Sequence, residues 1–423
     1  MRVLFITDVF PCFHAPGGSP TRVYCLIREL SKRHQIILLS TRWPGVEINS
    51  SSLDGICKKV HFYQFCPKPV VKNNGLFARI VGRKNWERVR EMRHLLFEYP
   101  QTVQGTLRHF ASFREKLLEL DLEQFDLVQV EVSNIAYRGA EIKKINPKIP
   151  MVLDLHDVDS LIEYRKFRHA IGFRWRIYTY FEWKKMVRYE RHVLRIFDRC
   201  LTVSEEDRNV LLSIAPSTRA SVIPNGVDSE FFKDIISCHW EPFSLVFVGS
   251  DWPPNIDAVL FFHKDIFPLI KQRIPNVKFY IVGGIGQNEK VKRLSDENTI
   301  VTGFVDDVRR WVKKATVSIV PMRLGGGTKV KILEALSMGK AVVSTPTGCE
   351  GIQVTHGKDI FIADRPQDFA HAILRLFSDR NLCISLGENG RELVKKKYDW
   401  SVIGQQLEEV YQEVAGERRT LAS

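Results

Sequence analysis

The stretch MRLGGGTKVKILEALSMGKAVVST, residues 322–345, sets three consecutive glycines directly ahead of a helix-forming run. A loop without side chains that opens a helix is an anion site, because the first N–H groups lack intrahelical partners and the helix dipole adds partial positive charge. Gly326, Gly327 and Thr328 are therefore the expected phosphate-binding positions, with Arg323, Lys329 and Lys331 as cationic partners for a diphosphate. Glu334 stands one turn further on, within the apolar run ILEAL. A carboxylate there is costly unless it meets hydrogen-bond donors. Two ribose hydroxyls would supply them; an ion pair with a neighbouring lysine is the alternative.

Three other loops carry weaker signals. DVFPCFHAPGGSPTRV places Gly17 and Gly18 before a helix start, a second phosphate-binding candidate that also reads as a plain loop-to-helix turn. It lacks the spaced glycines of a dinucleotide fingerprint. FSLVFVG ends at Gly249, and DWPPNIDAV follows, with Pro253 and Pro254 suited to the first turn of a helix. His156 closes the strand-like MVLDL; a lone histidine there is either structural or a hydrogen-bonding group of the site. Asp157 and Asp159 form a DxD, a metal-binding spacing discounted here because two acids one residue apart recur by chance.

The elements that must position these residues alternate strand and helix from end to end, the pattern of parallel sheets with crossover helices. In the first half strands are expected at Val3–Thr7, Gln35–Ser40, Leu127–Glu131, Met151–Leu155 and Cys200–Val203, with a helix over Ser19–Lys32 capped by Ser19. In the second they are expected at 243–249, 277–284, 315–321 and 340–345. VIPNGVD, 222–228, is rich in turn residues and marks a boundary. The expected architecture is α/β: a domain over 1–224, a second over 225–399, and a final helix near Val402–Ala415, within 400–418, packing back on the first domain. Two Rossmann-like halves in tandem would face their sheets across a central cleft, with ligands at the strand C-terminal ends.

Composition sets outer bounds. A chain of 423 residues exceeds what one core accommodates. The apolar run Val3–Ile6 is too short for a secretory segment or a membrane span, so a buried first strand of a cytoplasmic protein is expected. Eight cysteines without a CxxC pair argue for reduced thiols, with no zinc or redox motif. Of the net charge of +13, all but one unit lies in two segments, 74–118 and 163–200.

The order of GG, LHD (155–157), VSEED (203–207), VIPNGVD, FVGS and GGGTKVKILEALSMGKAVVST resembles the GT-B glycosyltransferases of family four, the group 1 enzymes, in a GGGTKVKILEA branch. The resemblance implies retaining transfer of a sugar from a UDP- or GDP-sugar to a saccharide or lipid-linked acceptor, in polysaccharide or glycoconjugate biosynthesis. It implies no cofactor and no obligatory metal. The first domain would bind acceptor and the second the donor. Glu334 matches the second glutamate of the family's paired-glutamate motif, which holds the donor ribose, and His156 matches a histidine placed beside the donor sugar. The first glutamate is replaced by Gly326, eight residues earlier, and the Arg and Lys that commonly follow the second domain's first strand are absent from GSDWPPN. Lys329 or Lys331 is the expected substitute clamp.

Residues 163–200 interleave ten aromatics with eleven Lys and Arg. This composition suits an anionic membrane surface, placing the protein peripherally on the inner face of the cell membrane; internal packing of a helix pair is the alternative. No nucleic-acid-binding module accompanies it, and nucleic acid is not an expected partner. Two competing functions remain: an inactive nucleotide-sugar-binding or membrane-docking protein on the same scaffold, and a sugar-nucleotide epimerase.

Overall fold

The computed structural model describes residues 1–13, 18–42, 50–64, 99–107, 110–233 and 240–422. The chain divides into two compact units. One holds the N-terminal strand, Ser19–Ile223 and Gln406–Ser423; the other holds Pro224–Gln405.

The first unit is built on a seven-stranded parallel sheet in the order β3-β2-β1-β4-β5-β6-β7. Its strands are β1 (Arg2–Thr7), β2 (Gln35–Arg42), β3 (Lys59–Gln64), β4 (Leu127–Glu131), β5 (Met151–Asp154), β6 (Arg199–Thr202) and β7 (Ala220–Val222). The second unit has six parallel strands in the order β10-β9-β8-β11-β12-β13. These are β8 (Ser244–Val248), β9 (Lys278–Val282), β10 (Thr299–Gly303), β11 (Val317–Val320), β12 (Ala341–Ser344) and β13 (Phe361–Ile362). The central strands are continuous apolar runs because helices cover both faces; Val3, Leu4, Phe5 and Ile6 of β1 are all fully buried.

In each sheet the strand order reverses once, between β1 and β4 and between β8 and β11. That reversal separates the loops beyond two neighbouring strands and opens a crevice at their C-terminal ends. The loop after β11 is the glycine-rich segment, and the loop after β8 begins at Gly249.

Three expectations are corrected. The first helix runs Gly18–Ser31, so Ser19 lies inside it and is not its cap. The last helix is longer than expected, Trp400–Ala422. Four strands, β3, β7, β10 and β13, have no counterpart in the sequence reading, and all four are sheet edges.

Two contacts explain the chain's closing segment. Val227 donates its N–H to the Tyr398 carbonyl at 2.8 Å, and a Cβ on Gly226 would lie 2.7 Å from the Trp400 ring, so only glycine fits in NGVD. Further along, Leu407, Tyr411 and Val414 are buried, and Tyr411 Oη donates to Gln129 Oε1 of β4 at 2.5 Å. Residues 163–200 form most of a hairpin of two helices, Asp159–Arg168 and Phe173–Val193. Among the described residues Cys25, Cys200, Cys349 and Cys383 are buried cysteines outside any disulfide, Cys12 is exposed, and no helix is long and apolar enough to cross a membrane.

Candidate functional site

Each unit gathers polar groups at the C-terminal ends of its strands. In the second unit, Gly249 follows β8 at a point where a Cβ would meet Phe247 Cε1 at 2.8 Å and Asn255 Cγ at 3.2 Å. Gly283, after β9, has φ +103°, and its Cβ would stand 2.6 Å from the Gly249 carbonyl oxygen. Both glycines thus let two loops approach at backbone distance. The helix Pro253–Phe261 starts with its prolines in the first turn, where the missing N–H groups cost nothing.

Asn255 is the link between loops. Its Nδ2 donates to the Ser250 carbonyl at 3.1 Å, and its Oδ1 accepts from Lys331 Nζ at 2.8 Å. The Lys331 ammonium also lies 4.2 Å from the Phe247 ring centroid. Burial pushes Lys331 down to about 7, with Glu334 opposing, and pushes Glu334 up to about 7, with Lys331 opposing. Glu334 lines a cavity with Phe232, Val308, Val312 and Ala335, and among the described residues its carboxylate makes no hydrogen bond or ion pair. Its position on the helix Val330–Ser337, between the buried Leu333 and Ala335, is what the amphipathic run ILEAL dictates.

The other cations of the motif point elsewhere. Lys329 is buried, and its Nζ donates to the carbonyls of Gly326 and Gly327, both at 2.7 Å, fastening the glycine loop to itself. Arg323 is held by Asp257 at 2.7 and 3.2 Å and lies 4.1 Å from the Phe261 ring centroid. Gly325 and Gly327 both have positive φ, +104° and +66°. Thr328 Oγ1 is buried without a partner, and the helix that follows has no side-chain cap on its first N–H groups. Of the three expected phosphate-binding cations, Lys331 and Arg323 both reach the helix after β8, at Asn255 and Asp257, while Lys329 stays within its own loop.

In the first unit, Glu131 ends β4, Asp154 ends β5 and His156 follows it, all buried. His156 Nε2 lies 2.9 Å from Glu131 Oε2 and 3.9 Å from Asp154 Oδ2. Glu131 Oε1 accepts from Gln129 Nε2 at 2.6 Å, and Gln129 Oε1 in turn accepts from Tyr411. Burial and the Asp154 charge raise the Glu131 carboxyl above its usual range, against the hydrogen bonds from His156 and Gln129. Asp154 is gripped by the buried Arg22, Nε to Oδ2 at 2.9 Å and Nη2 to Oδ1 at 3.0 Å. His156 Nδ1 is buried with no partner.

Glu131, Asp154 and His156 hold ligand-type atoms within 4.8 Å of one another, the spacing of a metal-binding triad. The same groups form one hydrogen-bonded network: Arg22 pairs with Asp154, Gln129 donates to Glu131, and His156 meets Glu131. Asp159 of the DxD accepts from Ser133 Oγ. A second buried cluster lies beyond β1, β2 and β3, where Arg138 makes a bidentate pair with Asp8 at 2.7 and 3.2 Å and Thr41 donates to the same carboxylate.

Gly18 opens its helix in open space, with no atom within 4 Å of an added Cβ, while Gly17 lies outside the described residues. The sequence reading missed Glu131, Gln129, Arg22 and Tyr411. The signal for Glu131 and Asp154 was present in LVQVE and MVLD: a charged residue closing an otherwise apolar parallel strand.

Residues 16–231 match Glycosyltransferase Family 4, and residues 242–379 match Glycosyl transferases group 1. An uncharacterized glycosyltransferase of Methanocaldococcus jannaschii is 27% identical over 276 residues, 63% of this chain and 69% of the relative. The phosphatidyl-myo-inositol mannosyltransferase of Mycolicibacterium smegmatis is 28% identical over 204 residues, 46% of this chain and 52% of the relative. Sucrose-phosphate synthase from Thermosynechococcus elongatus superposes with TM-score 0.68 at 16% identity, covering 99% of this chain and all of that one. HepE of Anabaena, in complex with UDP, superposes with TM-score 0.62 at 17% identity over 98% of this chain and 100% of that one. The two parallel-sheet units are thus those of the GT-B fold, and the chain belongs to glycosyltransferase family 4.

Proposed function

We propose that this chain transfers a sugar from a nucleoside-diphosphate sugar, UDP- or GDP-linked, to a saccharide or lipid-linked acceptor with retention of configuration and without an obligatory metal. The observation that carries the reading is Glu334: a carboxylate at a cavity, raised by burial and left without a hydrogen-bond donor, on the helix that opens from the glycine loop. Two vicinal ribose hydroxyls are the donors it lacks. Support also comes from relatives, among them a GDP-mannose-dependent mannosyltransferase of Mycobacterium tuberculosis and the HepE complex with UDP-glucose.

In this reading the diphosphate sits against the loop N–H groups of Gly326–Thr328, with Lys331 as the cation nearest the β8 loop and Thr328 Oγ1 as an additional donor. The acceptor hydroxyl attacks the anomeric carbon on the face from which the diphosphate departs. The new bond is acceptor oxygen to carbon, the broken bond is carbon to diphosphate oxygen, and that oxygen takes the acceptor's proton. Rate enhancement comes from positioning and from stabilising the charge developing on the diphosphate. His156 accepts a hydrogen bond from a sugar hydroxyl at Nδ1.

The test is release of nucleoside diphosphate from UDP-, GDP- and ADP-sugars, with and without lipid acceptors, by the wild type, Glu334→Ala and His156→Ala. Donor-specific release lost in both variants supports the transferase. No release from any donor, with nucleotide binding retained by the wild type and lost in Glu334→Ala, replaces it with an inactive nucleotide-sugar-binding protein.

A further inference from the structure

The helical hairpin of the first unit has two kinds of aromatic residue. Along its length they pack inward: Trp183 lies 5.0 Å from Tyr164 and stacks on Phe167 at 5.9 Å, measured between ring centroids. At its turn they do not. Every residue from Ile171 to Ile177 is exposed, with Ile171 91%, Phe173 81% and Trp175 54% accessible. Gly172, at φ +90°, makes the turn that holds Ile171 and Phe173 out together.

Charge is sorted on the same hairpin. Between Ser160 and Phe197 the three acidic residues, Glu163, Glu182 and Glu190, are all buried. Arg168, Arg174 and Arg176 flank the apolar turn and are exposed. Lys166, further along the first helix, pairs with Glu163 at 2.6 Å, whereas the tip presents Arg168, Arg174 and Arg176 around isoleucine, phenylalanine and tryptophan.

We infer that this tip, Ile171 to Ile177, docks on an anionic lipid bilayer: Ile171, Phe173 and Trp175 enter the interfacial layer while Arg168 and Arg174 meet lipid phosphates. The chemistry favours a bilayer over other acidic partners. Aromatic rings and arginines would also suit a nucleic acid, but two exposed isoleucines gain nothing from bases or phosphates, whereas an acyl boundary removes them from water. A Trp beside basic residues is the residue type that settles at headgroup depth. The assignment rests on this surface alone, independently of the transferase reading.

Co-sedimentation of the full-length protein with vesicles tests it, comparing phosphatidylcholine alone with phosphatidylcholine containing phosphatidylglycerol. The expected result is binding to the anionic vesicles that weakens as salt is raised. Phe173→Ser/Trp175→Ser should lower the partition coefficient at least about tenfold, and Arg168→Glu/Arg174→Glu should do so on anionic vesicles by roughly fivefold or more per charge. Because all four side chains are exposed, the thermal midpoint of both variants should match the wild type. Absence of wild-type binding to anionic vesicles overturns the inference, as does equal binding by both tip variants. Binding to single-stranded RNA that the tip variants weaken, with no vesicle binding, assigns the surface to nucleic acid instead.

Discussion

His156 and Glu131 face each other across the ends of neighbouring strands, Nε2 to Oε2 at 2.9 Å, and the other imidazole nitrogen is buried with no partner. The prediction is that Glu131 acts as the acceptor, with the ring proton on Nε2 and a lone pair on Nδ1. Glu131→Gln removes that constraint. Turnover should fall roughly 10- to 100-fold while donor affinity stays within about twofold. The ring 15N shifts of His156 should report the Nε2–H tautomer in the wild type and a mixture in the variant; a wild-type ring protonated on Nδ1 would contradict the assignment.

Removing Glu334 should separate binding from stability. The carboxylate forms no bond that folding needs, so Glu334→Ala should leave the thermal midpoint unchanged or raise it. Affinity for a nucleoside diphosphate, read by calorimetry, should drop at least about tenfold. A destabilised variant with unchanged affinity would assign Glu334 a structural role.

Tyr411 reaches back from the last helix to Gln129, and burial raises its phenol well above the ordinary range, so it remains a donor. Tyr411→Phe leaves Gln129 Oε1 buried without its partner. Chemical denaturation should show a loss of about 1–3 kcal/mol.

Glu190 supplies a pH dependence. Burial pushes its carboxyl from 4.5 up to about 8, and one of its oxygens has no partner. The folded state therefore favours the protonated form. Its contribution is fully present below about 4.5 and is lost as pH rises through about 8. Across that window the loss is on the order of 5 kcal/mol. Glu190→Gln, which keeps an acceptor for the Ser160 N–H, should flatten the midpoint-versus-pH curve and stabilise the protein most at pH 8 and above.

Gly283 cannot be replaced cheaply. An alanine would combine φ +103° with a Cβ 2.6 Å from the Gly249 oxygen. Gly283→Ala should cost on the order of 3 kcal/mol in a denaturation curve. Gly18→Ala, in open space with helical backbone, should cost nothing measurable.

Much of this molecule was legible in the residues. Alternation of apolar runs with helical periodicity was enough to specify two parallel α/β sheets, because strands buried on both faces must be apolar throughout and VLFI or VSIV admits little else. The glycine loop and Glu334 stand out as candidates for a related reason: glycines before a helix and a carboxylate inside an apolar run both depart from local preference. Edge strands escaped because one flank faces solvent. KVHFYQ alternates too weakly, and the three residues of ASV or the two of FI carry no period.

What tertiary structure alone decided is which of several plausible side chains meet. Sequence spacing ranked Arg323, Lys329 and Lys331 alike; only the fold showed Arg323 committed to Asp257 and Lys329 to its own loop carbonyls. Nothing local connects Tyr411 with Gln129, 282 positions away, or Arg22 with Asp154, 132 positions away. Hydrophobic pattern depends on each residue's own character and is written along the chain. The polar network around His156 depends on distances between strand ends, which exist only once the sheet has formed.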